Sequence, residues 1–425
     1  MDKKNFLEKN SKYILNSEVS KVIWPPIADN KELKELSSQR NLDIGIKWKA
    51  WPIKEFEEKF LNFLWNKIDY SITFNSGTSW LFAAYFAIWL KKWDEIIWPA
   101  VTYHAALSPA FSLWVVVKLC DVDIDTKCID PEKIESLITP RTKAITVVHQ
   151  WWHPCDMDRI NEIAKKYNLF IIEDCSHSHW SKYKWKMCWT LWDVSVFSLQ
   201  TNKTIFAGEW WILVTNNIDI YERATLLWHY RDRCKSEIKT KERQELWSTW
   251  YWLKLRMSPF NAIVWINSLD KFEDLKASKH KCLNYLNERL KEISYIRPLK
   301  IDSVVYDMWA WYWFKPLFNN DSINISIWDI VKVFKDFNLD IKKPSWWSLT
   351  NYKLYTSDYN LLFPDISSFD NSNLDLPNSN YLDNFSFSFP TFYDWDKHKE
   401  LIDKYIDTLK FIDLNISDIK KIWKI

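Results

Sequence analysis

The chain has 425 residues, 26% of them charged, with a net charge of +2 at pH 7; that balance offers no electrostatic case for nucleic acid or a membrane surface as partner. Only 3 residues are glycine and 30 are tryptophan, whereas an ordinary chain carries about 7% glycine. The opening "MDKKNFLEKNSKYILN" has no apolar run of the signal-peptide kind, and no stretch reaches the roughly 20 apolar residues that cross a bilayer, so a cytoplasmic protein is expected.

From about residue 70 to 216, short runs rich in Val and Ile alternate with runs whose apolar residues recur at three- and four-residue spacing. The strand-like runs are "DEIIWPA", "VVVKLCDVD", "KAITVVHQ", "LFIIEDCS", "VSVFSL" and "ILVTN". Between them lie "TSWLFAAYFAIWL", "DPEKIESLI" and "MDRINEIAKKYN", the second opening with Asp130 as cap and Pro131 in its first turn. This alternation predicts an α/β domain with a largely parallel sheet, whose ligands gather beyond the carboxyl ends of the strands. Residues 268–294 read as one long amphipathic helix, leading to a smaller α+β domain that closes on the helix "DKHKELIDKYIDTLKFI". The expected division is an N-terminal arm and large domain over 1–267 and a small domain over 268–425. Residues 349–386, rich in Asn, Ser and Asp, are expected to form an irregular insertion. The seven cysteines stand singly and read as plain thiols. His149, His153 and His229 share no zinc-type spacing, so no metal is expected.

The tryptophans fall where glycine belongs. Trp89 stands where a helix should end, Trp93 just before the acidic entry to a strand, and Trp185 at a lysine-flanked hairpin tip, with Trp189 and Trp192 at further turn positions. Glycine supplies the left-handed backbone such places require, and an exposed turn is a poor place for indole. Trp80, Trp114, Trp180, Trp210, Trp211, Trp252, Trp309 and Trp313 invite the same reading; Trp24, before "PP", and Trp311, in an aromatic cluster, are candidates for real tryptophan. Most of these letters are therefore expected to stand for glycine, as they would if a reassigned stop-type codon had been rendered as tryptophan. The rival reading is a tryptophan-rich glycan binder that uses indoles as platforms.

Three strand ends carry chemistry. "FNSGTSW" follows an apolar strand and opens a helix, so Ser76 to Ser79 present N–H groups and hydroxyls at a positive helix terminus, a natural cradle for phosphate. "LFIIEDCSHSHW" ends a buried strand on Glu173 and Asp174, and a carboxylate there demands a positive partner. Ser198 and Lys203 leave the strand "VSVFSL" on the same predicted edge. A phosphate cradle, a buried aspartate and a strand-end lysine are the three groups needed to hold pyridoxal 5'-phosphate by its phosphate, its pyridinium nitrogen and its aldehyde.

These residues resemble the DegT/DnrJ/EryC1/StrS sugar aminotransferases. The similarity runs from "WPIKEFEEKFLNFLW" (51–65) through "NSGTSW", "PRTKAITVVHQ", "IIEDCSHSHW" and "FSLQTNKTIFAGEWW" to "FPTFYDWDKHKELID". The family typically has G-E-G-G where this chain has Gly208, Glu209, Trp210 and Trp211, which supports the glycine reading independently of composition. The resemblance implies the fold-type-I architecture of pyridoxal-phosphate-dependent transferases. It also implies amino transfer from glutamate or glutamine to a keto sugar or keto cyclitol, with a faint leaning to cyclitols, and a homodimer whose sites are shared between subunits. By position, Lys203 matches the lysine that holds the cofactor aldehyde and Asp174 the carboxylate on the pyridine nitrogen. Gly77, Thr78, Ser79 and Ser198 match the phosphate-binding positions, and Tyr103 the aromatic that stacks on the ring. His177 stands where the family usually has Gln, which implies a pH-dependent contact, and Lys254 where many relatives have an Asn that reaches the neighbouring subunit's phosphate; His179 reads as a core histidine. Dehydratases on this scaffold replace the lysine by histidine, so Lys203 argues against that branch. A cofactor-binding sensor on the same fold is the remaining alternative.

Overall fold

The structure, a computed structural model, describes residues 2–22, 34, 38, 52–65, 67–189, 193–200, 203, 205–206, 208, 210–228, 231–248, 253–301, 306–307, 311–343, 348–352, 355 and 374–425. Trp24, Trp192, Glu209, His229, Trp252 and Trp309 lie outside these described residues.

Seven strands form the central sheet: β1 (Tyr70–Phe74), β2 (Glu95–Pro99), β3 (Val116–Cys120), β4 (Thr142–Val148), β5 (Phe170–Asp174), and, after a hairpin of β6 (Lys182–Tyr183) and β7 (Lys186–Met187), β8 (Val194–Ser198) and β9 (Trp211–Thr215). Their order is β1-β9-β8-β5-β4-β2-β3. Strands β3, β2, β4, β5 and β8 run parallel, and β9 is antiparallel to both β8 and β1. The sheet is mostly parallel, as expected, and its β-branched strands are almost wholly buried because helices cover both faces. The antiparallel β9 brings the carboxyl ends of β1, β5 and β8 to one edge.

The helices that cover the sheet follow from local sequence. In chain order they begin with α1 (Lys3–Lys9), α2 (Ile53–Phe63), α3 (Gly77–Ala87) and α4 (Met157–Tyr167). Helix α4 buries Met157, Ile160, Ile163 and Ala164 on one face, is capped by the Asp156 carboxylate at Arg159 N–H, and ends on Asn168 in left-handed backbone. The Asp130 cap also forms, on Glu132 N–H at 3.0 Å, although the helix it opens is one turn long (Pro131–Ile134). After α5 (Ile218–Trp228) come α6 (Pro259–Asp270) and α7 (Phe272–Leu290). The long helix expected over 268–294 is thus two helices, broken at Lys271, whose backbone caps the first; an apolar pattern running through a one-residue break hides the change of axis.

The C-terminal part adds α8 (Ile327–Asp336), α9 (Trp395–Leu414), α10 (Ile416–Trp423) and short strand pairs, one of them between Ile296–Arg297 and Leu317–Phe318. Its buried cluster, with Leu286, Phe334, Phe337, Tyr405 and Ile406, also takes in Phe6 and Leu15 from the start of the chain. Within 349–386, expected to be irregular, Pro377–Phe385 is helical. No helix among the described residues is long and apolar enough to cross a membrane.

Among the described residues, nine tryptophans have left-handed backbone: Trp65, Trp89, Trp93, Trp114, Trp151, Trp152, Trp180, Trp185 and Trp189. Each costs about 1–2 kcal/mol for a residue with a β carbon. Lys184 and Trp185 form the two-residue tip between β6 and β7, both with positive φ (45° and 68°), the turn for which Asn-Gly is the usual sequence. Trp80 and Trp211 differ from the turn expectation. Trp80 lies inside helix α3 and Trp211 opens β9. Many of the indoles are core residues: Trp80, Trp98, Trp151, Trp189, Trp265 and Trp311 are among the largest fully buried side chains. Buried indoles cannot serve as glycan platforms.

Candidate active site

Between β1 and α3, Ser76 adopts extended backbone (φ −157°, ψ 160°) and its Oγ accepts the Ser79 N–H at 3.1 Å, which caps the helix. Ser79 Oγ lies 2.6 Å from Ser76 Oγ and 2.8 Å from the Asn75 carbonyl oxygen Oδ1 it donates to. Gly77 and Thr78 occupy the first turn, where N–H groups have no preceding turn to bond. Trp211 pairs with Phe74 on one side and Ser198 on the other. Ser198 therefore faces the same cradle; it is buried, and its Oγ accepts the Gln200 N–H at 3.4 Å. The Trp211 indole nitrogen stands 2.9 Å from where a β carbon on Gly77 would be, filling the cradle mouth.

The neighbouring strand end carries the acid. Asp174 is 6% exposed, and its Oδ1 accepts the Ser176 N–H at 2.8 Å. Burial pushes its carboxyl pKa up, while the Ser176 hydrogen bonds and the charge on Lys203 pull it back. Behind it, His149 Nδ1 accepts the Cys155 N–H at 3.0 Å, so the proton sits on Nε2, which donates to Glu173 Oε1 at 2.8 Å. Ser195 Oγ donates to the other Glu173 oxygen at 3.0 Å, and the His149 N–H donates to the Asp174 carbonyl at 3.2 Å. The ligand atoms of His149, Glu173 and Cys175 lie within 4.8 Å of one another. That grouping of three potential metal ligands is absent from the sequence pattern, because its members come from two strands. The bonds it makes within the protein mark it as the support beneath Asp174.

Lys203, 7% exposed, is anchored by its N–H to the Gln200 carbonyl at 2.8 Å. Burial pushes its amine down to about 7, and Asp174 is the charge that opposes the shift. The two residues are therefore brought together, acid and amine, at one sheet edge. Lys203 Nζ stands 4.1 Å from the centroid of the Tyr312 ring, and Tyr312 stacks on His177 with centroids 4.4 Å apart. Trp151 N–H donates to His177 Nδ1 at 3.4 Å, and burial, then the charge of Lys203, holds this imidazole far below its ordinary pKa. His177 is thus neutral across the physiological range, and the pH-dependent contact expected of it does not follow. His179 is held down to about 3 by burial, with Nδ1 accepting the Ile205 N–H at 3.4 Å, as befits a core residue.

Two expected residues lie at the rim. Tyr103 follows β2 and is 55% exposed, its ring centroid 4.8 Å from that of His104. Lys254 is exposed with φ 54°, and the carbonyl of the next residue, Leu255, accepts the Asn75 N–H at 3.1 Å, which sets it beside the cradle. Tyr312, and the buried Lys315 whose charge also bears on His177, went unread in the sequence. They sit more than a hundred residues from Lys203, and local pattern carries no sign of that contact.

A sequence profile of the DegT/DnrJ/EryC1/StrS aminotransferase family matches residues 30–377. The chain belongs to this family. Among similar proteins are the GDP-perosamine synthase of Escherichia coli O157:H7, 30% identical over 291 residues that cover 68% of this chain and 76% of the relative, and the L-glutamine:scyllo-inosose aminotransferase of Streptomyces griseus, 30% identical over 64% of this chain and 65% of the relative. The fold matches an aminotransferase from Psychrobacter cryohalolentis with TM-score 0.77 at 22% identity, over 93% of this chain and 99% of that one. It also matches the E. coli GDP-4-keto-6-deoxy-D-mannose-3-dehydratase with bound hydrated PLP, with TM-score 0.74 at 22% identity, over 93% and 100%.

The protein is a pyridoxal-phosphate-dependent aminotransferase of fold type I. Its polar residues fit that cofactor: the buried amine of Lys203 and the buried acid of Asp174 feel each other's charge across the site, and hydroxyls stand at a helix N-terminus beside them. The one misfit is bulk, in the indole of Trp211 across the cradle.

Proposed function

We propose that the protein moves an amino group from glutamate or glutamine to a keto sugar or keto cyclitol, with Lys203 as the catalytic base and cofactor anchor. The observation that carries this reading is the buried Lys203 amine, held down to about 7 in reach of Asp174. Pyridoxal phosphate, when bound, supplies an electron sink for the charge left on a carbon that loses its proton. Lys203 in its neutral form would take that proton and return it two atoms along, to the carbon on the far side of the nitrogen. Asp174 would hold the ring nitrogen as a cation, and the His149–Glu173 pair fixes its strand end. His177, neutral and stacked on Tyr312, would hydrogen-bond the cofactor's phenolic oxygen, and Gly77, Thr78, Ser79 and Ser198 would bind its phosphate.

Support for the donor and acceptor comes from relatives named as an L-glutamine:scyllo-inosose aminotransferase and a GDP-perosamine synthase. The division into a large unit over 1–267 and a small one over 268–425 belongs to this reading, as do a homodimer and a cytoplasmic location. What supports the dimer is the exposure of Lys254 and Tyr103 at the rim, on a face that a second copy would cover. The test is purification with pyridoxal phosphate followed by absorption spectroscopy with glutamate and with glutamine. A visible band that bleaches with one donor is expected, and Lys203→Ala is expected to lose both the band and at least ~10²-fold in transfer. A band that no amino donor bleaches would overturn amino transfer.

A further inference from the structure

Left-handed backbone sorts the residues of this protein. Among the described residues other than glycine, sixteen have positive φ: nine tryptophans, four lysines and three asparagines. No Phe, Tyr, Leu, Ile or Val is among them. Tryptophan shares the bulk of those residues, and nothing in an indole favours positive φ. Only the lack of a β carbon makes such backbone ordinary.

A second set of observations concerns the indoles themselves. The Nε1–H groups of Trp80, Trp152, Trp189, Trp210 and Trp265 are buried and find no hydrogen-bond acceptor in the protein, whereas buried donors in folded proteins are nearly always bonded. Trp311 and Trp423 behave otherwise. Trp311 donates to His280 Nδ1 at 3.4 Å and Trp423 to Asp336 Oδ2 at 2.7 Å, and neither has positive φ. A third observation lies in the site. Trp211 stands in the ladder between Phe74 and Ser198 with its indole against Gly77, in front of the helix terminus that chemistry reserves for an anion. At that point the residue as written and the fold contradict each other.

We propose that the polypeptide made in its own cell carries glycine at the nine left-handed tryptophan positions and at position 211, each encoded by a codon that this cell reads as glycine. Trp311 and Trp423 are true tryptophan, encoded by a different codon. Glycine in place of Trp211 leaves β9 paired through its backbone and opens the space between Gly77 and Ser198 to a phosphate. In place of Trp185 it forms the hairpin tip without strain. Nine left-handed indoles together cost as much as the whole net stability of a domain, and their replacement removes that burden. The nine left-handed positions stand apart from the reading of the site; position 211 rests on it, through the phosphate cradle.

The gene and the isolated protein test it directly. The codons for Trp89, Trp185 and Trp211 are expected to be alike and to differ from those for Trp311 and Trp423, and tandem mass spectrometry of the protein from its own cells is expected to read glycine at the first three. One shared codon, or tryptophan masses at all five positions, overturns the proposal. Folding gives an independent check through the melting temperature of the chain synthesised as written. Trp185→Gly is expected to raise Tm, because the side chain is 78% exposed and only the backbone changes; Trp311→Gly is expected to lower it. A fall in both would count against the proposal, and if the chain as written does not fold while the ten-glycine chain does, the proposal stands.

Discussion

The Lys203 amine is set by two opposed effects, burial and the Asp174 charge, and burial wins. With its pKa down to about 7, the amine is mostly neutral and nucleophilic above that pH and mostly protonated below it. Capture of pyridoxal phosphate by apoprotein, followed by absorbance in stopped flow, is therefore expected to speed up from about pH 6 to about pH 8 and then level off. In Asp174→Asn the opposing charge is gone, so the midpoint is expected to move to lower pH. The same shift bears on stability. Between pH 7 and the ordinary lysine value near 10.4, the unfolded chain binds the proton that folded Lys203 has lost, so this group's contribution to stability rises with pH across that window. Asp174 was legible in the sequence because it ends an apolar strand, where a charge needs a reason, and Lys203 because it follows the next such strand, β8, and matches the family's lysine. Tyr312 and Lys315 were not, since their roles come from distant segments folded against the same pocket.

At the level of elements, Arg233 ties α2, β1 and α5 together. Its guanidinium pairs with Glu57 of α2 at 3.0 Å and donates to the Ser71 carbonyl of β1 at 2.8 Å, and it also bonds Tyr221 of α5 and Glu237. Burial pushes the Glu57 carboxyl up and Arg233 draws it back. Removing one partner strands the other charge in the core, so Arg233→Met is expected to cost about 3–5 kcal/mol in urea unfolding, and the double change Arg233→Met, Glu57→Gln to recover part of it. The strands and the helix over Met157–Tyr167 were readable, because period and caps agree there. The break at Lys271 was not, because both helices continue one apolar pattern and the change of direction is decided by packing.

For the whole molecule, Asp121 at the end of β3 reaches across to the C-terminal part. Its carboxylate accepts the N–H groups of Asn378 and Ser379, at 3.0 and 2.8 Å, and caps the helix Pro377–Phe385. Asp121→Ala is expected to cost about 1–2 kcal/mol and to raise amide hydrogen exchange across 377–385 ahead of the strands. Phe6 and Leu15, packed among residues from the far end of the chain, show how little sequence distance governs this core.

The sequence by itself determined the alternating architecture, the edge where chemistry gathers, the lysine and aspartate that define it, and the anomaly of the tryptophans, because periodicity, strand ends and backbone requirements are local properties. The tertiary structure alone decided that His177 stays neutral, that Tyr312 covers the lysine, that His149 and Glu173 support Asp174, and that an indole blocks the phosphate cradle. Those depend on burial and on contacts between segments far apart in the chain, and the dielectric around a group is a property of its surroundings in space.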